Sequence, residues 1–584
     1  MAELATTHDQ LAELTSRARE AGVVYPSDLD VALVATPGAT LRSFHLTMRD
    51  GVRVAVDLHL PRLVKGEPIA TALRSTRYWR AGVGDPAKEH VSALEGARWT
   101  SAGFALLLVD ARGTGASTGT WARAWDNDQR DDLIEILDWL VAQPWSDGTV
   151  GGFGTSYDGT TAMMLAATGH PAVKAVVARF SLYDAYRDIT APGGVPNDGF
   201  CEPWSAMNWA RDGLQERGTC ELPVPLTGEV RPVEAESISL EGREHNMDVW
   251  AEVGAADARI TPLPDLGMGT PLARHDDLVR AGVPLWLWSG WYDGAYAASQ
   301  LAMLADPDLD TRVTIGPYAH GAGYPPLGDP LQPELPNVPM AEQVADMAGY
   351  LRHHQQGAAH DPSPARLTYF RLGDGWQHSD AWPPAHVAME RMALDGPRHL
   401  DVDFTATSGT QTRWHTLLGG TPVHYPDRRD AAGLVRWVGP VLDRPTAITG
   451  TPVAHLELTS SAPDFAVHLF LEAVAPDGQV LYLTEGQLRA RHRRLGVGVA
   501  PYETYGPWHT YVEEDAEPFP LDRPDSLDFV LWPISILLPA GWRWQIALAG
   551  ADTASFRRIP ADGDVALTVL PGSWVDVPVE GRPC

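Results

Sequence analysis

The sequence predicts an α/β fold followed by an all-β domain. Up to about residue 360, short apolar runs such as 104–109 and 283–290 alternate with helical stretches such as 133–141. This alternation is typical of a mostly parallel sheet that helices cover on both faces. Farther along, short segments such as 455–459 alternate between apolar and polar residues, with turn residues between the segments. Repeated short strands of this kind predict a β-sandwich.

The N-terminal region predicts a helix and then a hairpin. Residues 1–22 carry acidic residues and lack a continuous apolar core, so they do not resemble a secretory signal. Leu11, Leu14 and Ala18 lie at helical spacing, which predicts an amphipathic helix. Between residues 41 and 61, apolar and polar residues alternate around an Asp-Gly pair, which predicts two antiparallel strands joined by a turn.

The stretch 154–159, Gly-Thr-Ser-Tyr-Asp-Gly, places a serine between two glycines. An apolar run precedes it, and residues 160–167 have the composition of a buried helix. A sharp turn between strand and helix holds such a serine in a strained conformation, and small residues at 154 and 159 let the strand and the helix pass closely. The spacing is G-x-S-x-x-G and not the commoner G-x-S-x-G, and alone it is a weak signal.

Two further residues complete a candidate catalytic triad. A serine hydroxyl becomes a nucleophile when an imidazole takes its proton, and that imidazole needs a carboxylate to fix its tautomer. Asp293 follows the apolar run 283–290, and His320 follows a short predicted strand at 312–316. Taken singly, Asp293 could be a turn carboxylate and His320 a structural histidine. The order Ser156, Asp293, His320, each after a strand, predicts an α/β-hydrolase that transfers an acyl group to Ser156 and then to water.

Several short motifs besides the serine turn support this interpretation: Trp145 to Gly148, Val109 to Ser117, Gly290 to Asp293 and Gly316 to Gly321. Together they resemble the cocaine esterase group of serine hydrolases, which is related to X-Pro dipeptidyl peptidases and α-amino acid ester hydrolases. The resemblance extends from about residue 40 to the end of the chain. It implies an α/β-hydrolase catalytic domain with an inserted helical cap and a C-terminal jelly-roll β-sandwich.

The same plan predicts five segments along the chain. They are an N-terminal helical extension (1–40), a first part of the α/β-hydrolase domain (41–183), a helical cap insertion (184–275), a second part of the α/β-hydrolase domain (276–362) and a jelly-roll β-domain (363–584). The cap segment has no strand period and is rich in tryptophan. Its tryptophans either line the mouth of a pocket or are ordinary packing residues.

Two groups are candidates for an oxyanion hole. The backbone amide of Tyr157, at the start of the predicted helix, lies where an acyl oxyanion would form. The resemblance adds a tyrosine hydroxyl at an early strand end, and the matching residue here is Tyr78. The family usually has proline directly before this tyrosine, whereas this chain has Arg77. Because arginine does not fix the backbone as proline does, the direction of the Tyr78 hydroxyl stays open, with a packing tyrosine as the alternative.

Composition excludes several other classes of protein. The formal net charge of −30 argues against nucleic acid and anionic membranes as partners, since both would be repelled. No apolar run is long enough for a transmembrane helix. Three cysteines, Cys201, Cys220 and Cys584, make no disulfide framework in 584 residues, and we expect a cytoplasmic protein.

No cofactor or metal is expected. His353 and His354 lack a second pair of ligands at metal spacing, and the glycine-rich stretch 110–115 lacks the lysine of a P-loop. The expected substrate is a small-molecule carboxylic ester of small or medium size. The alternatives are an amide or β-lactam acylase, an α-amino acid ester hydrolase, an X-Pro dipeptidyl peptidase and a catalytically inactive binding scaffold. A homo-oligomer is left open.

Overall fold

The structure is a computed structural model, and it describes residues 32–36, 39–61, 68–80, 91–212, 242–253, 270–320, 331, 340–357, 365–415 and 433–581. An eleven-stranded mixed sheet forms its first part. The strands of this sheet are β1 (Ala32–Thr36), β2 (Ala39–Thr47), β3 (Arg53–Pro61), β4 (Ile69–Thr76), β5 (Ala105–Asp110), β6 (Ser146–Thr155), β7 (Val173–Arg179), β8 (Leu285–Gly290), β9 (Thr311–Gly316), β10 (Leu367–Arg371) and β11 (Gly375–Ser379).

The strand order across the sheet is β1-β2-β3-β5-β4-β6-β7-β8-β9-β10-β11. Pairings from β5 to β10 are parallel, and the pairings at both ends of the sheet are antiparallel. Parallel strands end at the same edge of the sheet, so the loops after β6, β8 and β9 lie on one side of the molecule. These loops carry Ser156, Asp293 and His320.

Helices cover both faces of the sheet. The helices of this part of the chain are α1 (Val91–Ser101), α2 (Asn127–Val141), α3 (Tyr157–Ala167), α4 (Asp198–Arg211), α5 (His275–Ala281), α6 (Tyr296–Ala305) and α7 (Met340–Gln356), together with a π-helix at Tyr186–Thr190. Strand β5 is buried throughout, and its successive side chains enter opposite cores. Leu106 and Leu108 share a core with residues of α1 and α7, whereas Leu107 and Val109 share one with residues of α2 and α3.

The second part of the structure is an antiparallel β-sandwich of two sheets. One sheet has eight strands: β12 (Val387–Ala393), β13 (Arg398–Asp401), β15 (Thr446–Gly450), β16 (Val453–Ser460), β19 (Asp525–Val530), β20 (Ile534–Leu538), β22 (Ala566–Val569) and β23 (Trp574–Glu580). The other has four strands: β14 (Val435–Val438), β17 (Ala466–Val474), β18 (Val480–Arg489) and β21 (Arg543–Ala549). The predicted fold class, an α/β-hydrolase domain followed by a β-sandwich, is confirmed.

Two predicted boundaries differ from the structure. Residues 32–36, which we expected in a helical extension, form β1 and pair with β2, because their backbone completes an antiparallel ladder with residues 39–43. Strands β10 and β11, which we expected in the jelly-roll domain, extend the first sheet instead, because Leu367 pairs with Val313 of β9. The helix expected over residues 1–22 lies outside the described residues.

Other expectations have clear outcomes. The hairpin predicted over residues 41–61 is confirmed as β2 and β3, which pair antiparallel. The described residues of the predicted cap contain the π-helix and α4, and the limits of the cap stay a prediction. Cys201 is buried and free, whereas Cys220 and Cys584 lie outside the described part of the chain. No helix among the described residues has the length and apolar content needed to cross a membrane.

Candidate active site

The turn between β6 and α3 holds Ser156 in a conformation that few side chains adopt. Its φ of 65° and ψ of −127° lie outside the regions that L-residues favour. A Cβ atom on Gly154 would overlap the Asp158 carbonyl, and one on Gly159 would lie 2.5 Å from the Arg179 carbonyl oxygen. Both glycines are therefore required for the strand and the helix to approach each other. The Ser156 amide donates to the Arg179 carbonyl at 2.9 Å, which fixes the turn against β7.

Asp293 and His320 meet in a direct hydrogen bond. Asp293 lies in the loop after β8, His320 in the loop after β9, and the His320 Nδ1 atom is 2.9 Å from Asp293 Oδ2. Asp293 is fully buried, and this burial raises its pKa, although the imidazole favours the charged carboxylate. The geometry places the proton on Nδ1 and leaves Nε2 with a lone pair, which is the tautomer that a general base needs.

Ser156 lies near the Asp293–His320 pair, but its hydroxyl makes no hydrogen bond to the His320 imidazole. Within the described part of the chain, the Ser156 hydroxyl makes no hydrogen bond to a side chain. The His320 ring packs edge-on against Tyr296 at 5.7 Å, and Tyr296 and Ser156 line one cavity. Catalytic hydrogen bonds are often long before substrate binds, so this arrangement is compatible with a triad that closes around its substrate.

Tyr78 also lines the cavity at Ser156. Its hydroxyl oxygen accepts a hydrogen bond of 2.8 Å from Trp204 Nε1, and Trp204 belongs to α4. Burial raises the pKa of Tyr78 to about 12, so the hydroxyl keeps its proton at neutral pH. Because its oxygen already accepts from Trp204, the O–H bond is available to donate to a third atom. The hydroxyl is therefore suited to an oxyanion.

Arg77, the departure from the family pattern, is held by its side chain. It is fully buried and donates to Asp212 Oδ2 at 2.9 Å, and its guanidinium carbon lies 4.2 Å from the centroid of the Trp121 ring. Asp212 accepts a second hydrogen bond, 2.8 Å long, from Asn246. In addition, Arg211 donates to the Tyr78 carbonyl at 2.9 Å. These contacts fix the backbone at Tyr78, where a proline would otherwise do so.

Tyr157 lines the same cavity, and neighbouring residues fix its side chain beside the turn. Its hydroxyl donates to Gln129 at 2.7 Å and accepts from Trp121 Nε1 at 2.9 Å, and its ring stacks on Trp125. The hydroxyl and the ring of Tyr157 are thus both engaged by neighbouring side chains. Only the backbone amide of Tyr157, the first residue of α3, remains a candidate oxyanion donor.

A buried ion pair that sequence reasoning missed lies under the turn. The Asp158 carboxylate accepts from Arg74 of β4 at 2.8 Å, and Arg74 also donates to Glu95 at 2.8 Å. Burial raises the pKa of Asp158 to about 6, and Arg74 opposes that rise. The pair ties the first turn of α3 to the neighbouring strand. No local pattern in β4 links Arg74 to a residue 84 positions later.

The cavity at Ser156 is small and apolar. Its volume is about 30 Å³. Its lining residues come from the sheet loops and from the predicted cap: Tyr78, Trp125, Ser156, Tyr157, Leu182, Ala185, Ile189, Thr190, Phe200, Trp204, Val249 and Tyr296. None of these described lining residues is charged. Among the described residues, no group of three or more His, Cys, Asp and Glu side chains is arranged to hold a metal ion.

Comparison with known proteins identifies the family of this chain. The profile of the X-Pro dipeptidyl-peptidase (S15 family) matches residues 50–322, and that of the X-Pro dipeptidyl-peptidase C-terminal non-catalytic domain matches residues 356–572. A Mycobacterium bovis protein that carries the name of a serine esterase is 33% identical over 610 residues, which cover 93% of this chain and 96% of the relative. Cocaine esterase of a Rhodococcus species is 28% identical over 501 residues, covering 76% and 82% of the two chains.

A solved structure shows the same fold. A CocE/NonD family hydrolase from Staphylococcus aureus superposes with a TM-score of 0.68 at 14% identity, covering 95% of this chain and 97% of the other. The fold and the aspartate–histidine pair define an enzyme of the α/β-hydrolase class. The chain belongs to the S15 family, as a hydrolase of the CocE/NonD type.

Proposed function

We propose that the protein hydrolyses carboxylic esters through an acyl-enzyme on Ser156. The protein is a serine hydrolase that acts on esters, in agreement with its family. In the proposed reaction, the His320 imidazole takes the proton of the Ser156 hydroxyl while the serine oxygen attacks the ester carbonyl. The imidazolium, stabilised by Asp293, gives this proton to the leaving alcohol. Water then attacks the acyl-enzyme with the same base and releases the carboxylic acid.

One observation carries the proposal: the 2.9 Å hydrogen bond between Asp293 and His320, beside a serine held at positive φ. An exposed aspartate–histidine pair would be common on any surface, but Asp293 is fully buried. Burying a carboxylate costs desolvation free energy. A buried carboxylate that fixes the imidazole tautomer offsets this cost by serving proton transfer.

The proposed oxyanion hole combines the Tyr78 hydroxyl with the Tyr157 amide. The position of Tyr78 on the wall of the Ser156 cavity supports its part, as does its free O–H bond. The Tyr157 amide is supported by its place at the positive end of α3. Both donors would act on negative charge that develops only in the transition state, so they would raise kcat more than substrate affinity.

The lining of the cavity favours a small, uncharged acyl group. Trp125, Phe200 and Trp204 supply apolar aromatic surface, and the volume is only about 30 Å³. A substrate with an α-ammonium group would need a carboxylate nearby, and the described lining residues offer none. This lining disfavours the α-amino acid ester hydrolase alternative. Amide acylase activity stays as the second candidate, because an acyl-enzyme on serine forms from amides by the same steps.

The remaining expectations concern the partners, the cofactor and the location of the enzyme. The net charge of −30 supports a small-molecule substrate over a nucleic acid partner. A cytoplasmic location, the absence of a cofactor and the oligomeric state stay predictions.

A panel of substrates tests the proposal. Aryl acetates, butyrates and benzoates, amino acid esters and the matching anilides would be compared at pH 8, with wild type and Ser156→Ala assayed side by side. We expect the small aryl esters to have the highest kcat/KM, and Ser156→Ala to lower kcat by about 10⁶-fold, as the loss of a serine nucleophile does elsewhere. Ser101→Ala, which changes an exposed serine at the end of α1, is the matched control.

Labelling with a fluorophosphonate probe reports on Ser156 without any assumption about the substrate. Covalent modification should map to the peptide that contains Ser156 and disappear in Ser156→Ala. Labelling at another serine, or ester hydrolysis that survives in Ser156→Ala, would contradict the proposal. Faster turnover of anilides than of esters would favour the acylase instead.

A further inference from the structure

A second and much larger cavity lies away from Ser156. Its volume is about 240 Å³, against about 30 Å³ for the cavity at the nucleophile. One wall is the segment after β7, with Tyr186 and Arg187, and the opposite wall comes from the β-sandwich part of the chain, with Tyr502, Trp508 and Tyr511. A volume of this size is far above what a single water molecule needs and approaches that of small-ligand pockets.

The π-helix Tyr186–Thr190 separates the two cavities. Ile189 and Thr190 line the cavity at Ser156, whereas Tyr186 and Arg187 line the second cavity. π-Helical turns are rare and occur often at functional sites. Here the π-helix directs its first two residues toward the second cavity and its last two toward the cavity at Ser156. The second cavity therefore adjoins the candidate active site without sharing its lining residues.

Among the described lining residues of the second cavity, Arg187 carries a positive charge and Asp184 a negative one. Arg187 is 92% buried, and its guanidinium carbon lies 4.7 Å from the centroid of the Tyr502 ring. The Asp184 carboxylate lines the same cavity. It accepts hydrogen bonds from the Tyr502 hydroxyl at 3.2 Å and from the Tyr186 amide at 3.0 Å. Burial lowers the pKa of His509, so this ring adds no positive charge at neutral pH. Arg187 is therefore the cation among the described lining residues; Asp184 and Asp188 interact with its charge, and its guanidinium faces the cavity.

Three lining residues carry buried polar atoms that have no hydrogen-bond partner among the described residues. They are Arg187 (Nη1), Gln487 (Nε2 and Oε1) and Trp532 (Nε1), with exposed fractions of 8%, 3% and 4%. Three of these four atoms are donors and one is an acceptor. Leaving such groups unpaired is costly, and a ligand that supplies acceptors near them would lower this cost.

We propose that this second cavity binds a small aromatic carboxylate. The carboxylate would pair with the Arg187 guanidinium, which matches the planar, two-oxygen geometry of that group. The ring would lie against Tyr511 and Trp508, which present aromatic surface to the same cavity. The proposal concerns binding and is independent of the ester hydrolysis proposed for Ser156.

Calorimetric titration of full-length Ser156→Ala with phenylacetate tests the proposal, because this variant removes turnover. We expect one saturable site, and at least about ten-fold weaker binding of phenylacetamide, which has the same ring without the charge. Arg187→Gln should weaken phenylacetate by a similar factor and leave phenylacetamide unchanged. Arg391→Gln, which alters an exposed arginine outside the cavity, is the matched control and should change neither titration.

A second variant keeps the test decisive if Arg187→Gln does not fold. Val512 is half-buried and lines the cavity, so Val512→Trp should fill part of the space and abolish phenylacetate binding. Equal affinities for acid and amide, or binding that survives in Val512→Trp, would overturn the proposal. So would binding that is lost when wild type is blocked at Ser156 by a fluorophosphonate, since the acid would then occupy the active-site cavity. An enzyme without esterase activity but with this binding pattern would refute only the function proposed for Ser156.

Discussion

The two sides of the candidate active site are held in different ways. On the acid–base side, Asp293 and His320 follow the neighbouring parallel strands β8 and β9, and His320 Nδ1 lies within hydrogen-bond distance of both Asp293 carboxylate oxygens. On the oxyanion side, the position of Tyr78 depends on Trp204 and Arg211, which lie 126 and 133 residues later in α4. Strand register therefore fixes the first side, whereas long-range contacts with α4 fix the second. Substitutions in α4 should affect the second side and spare the first.

The largest effect should come from the acid–base side. Asp293→Asn keeps the size of the side chain but favours the wrong imidazole tautomer at His320, so kcat for an aryl ester should fall by about 10⁴-fold. Asp308→Asn, in the exposed turn after α6, should leave kcat unchanged and serves as the control. A decrease of less than about ten-fold in Asp293→Asn would remove this residue from the proposed triad.

The oxyanion side should show a smaller and more selective effect. Tyr78→Phe keeps the ring but removes the O–H donor, so kcat should fall by about 10²- to 10³-fold while KM changes little. Trp204→Phe removes the hydrogen bond that orients this hydroxyl and should lower kcat in the same direction by a smaller factor. Steady-state kinetics on one aryl ester measures both variants. Unchanged kinetics in Tyr78→Phe would reduce Tyr78 to a packing residue.

The Arg77–Asp212 pair provides a test of how α4 stabilises the oxyanion side. Arg77→Met leaves the buried Asp212 carboxylate with Asn246 as its hydrogen-bond donor, which should destabilise the protein by about 3 kcal/mol, the lower end of the range for a broken buried pair. The double variant with Asp212→Asn removes both charges and should recover part of this loss. Urea unfolding of the two single variants and the double variant gives the coupling energy. Additive effects would show that the two side chains do not stabilise each other.

The residues of the acid–base side could be proposed from the sequence because the patterns that point to them are local. Ser156, Asp293 and His320 each follow a recognisable apolar run, and the strands predicted before Asp293 and His320 begin within two residues of those observed. Tyr78 came from family resemblance alone. The partners of Tyr78 and Arg77 could not be predicted, since a contact across 126 or 135 residues leaves no periodic pattern in either segment. Strand β10 was assigned to the wrong sheet for a similar reason: alternation predicts a strand but does not specify its neighbour.

One buried carboxylate connects the π-helix to the acid–base side, and its titration gives the smallest predicted effect. The Asp188 carboxylate accepts from the Tyr183 amide at 2.8 Å and from the Ser299 hydroxyl, and its backbone carbonyl accepts from the Ala295 amide at 3.0 Å. Burial, reinforced by Asp184, raises the pKa of Asp188 to about 7. Asp188 therefore ties the π-helix to the loop that carries Asp293.

The sign of the effect follows from where the proton is bound. An unfolded aspartate titrates near pH 4, so between about pH 4 and pH 7 the unfolded chain loses this proton while the folded protein keeps it. The contribution of Asp188 to stability is thus complete below pH 4 and is lost as the pH rises to about 7. Asp188→Asn resembles the protonated side chain, since its oxygen can accept from the Tyr183 amide and its NH2 group can donate to the Ser299 hydroxyl. Because asparagine does not ionise, the free energy of unfolding of the variant relative to wild type should rise by roughly 2 kcal/mol between pH 5.5 and pH 7. Urea unfolding at the two pH values measures this difference. A variant whose stability runs parallel to that of wild type would mean that Asp188 is already ionised in the folded protein, and that the π-helix and the Asp293 loop are joined by hydrogen bonds to a carboxylate ion.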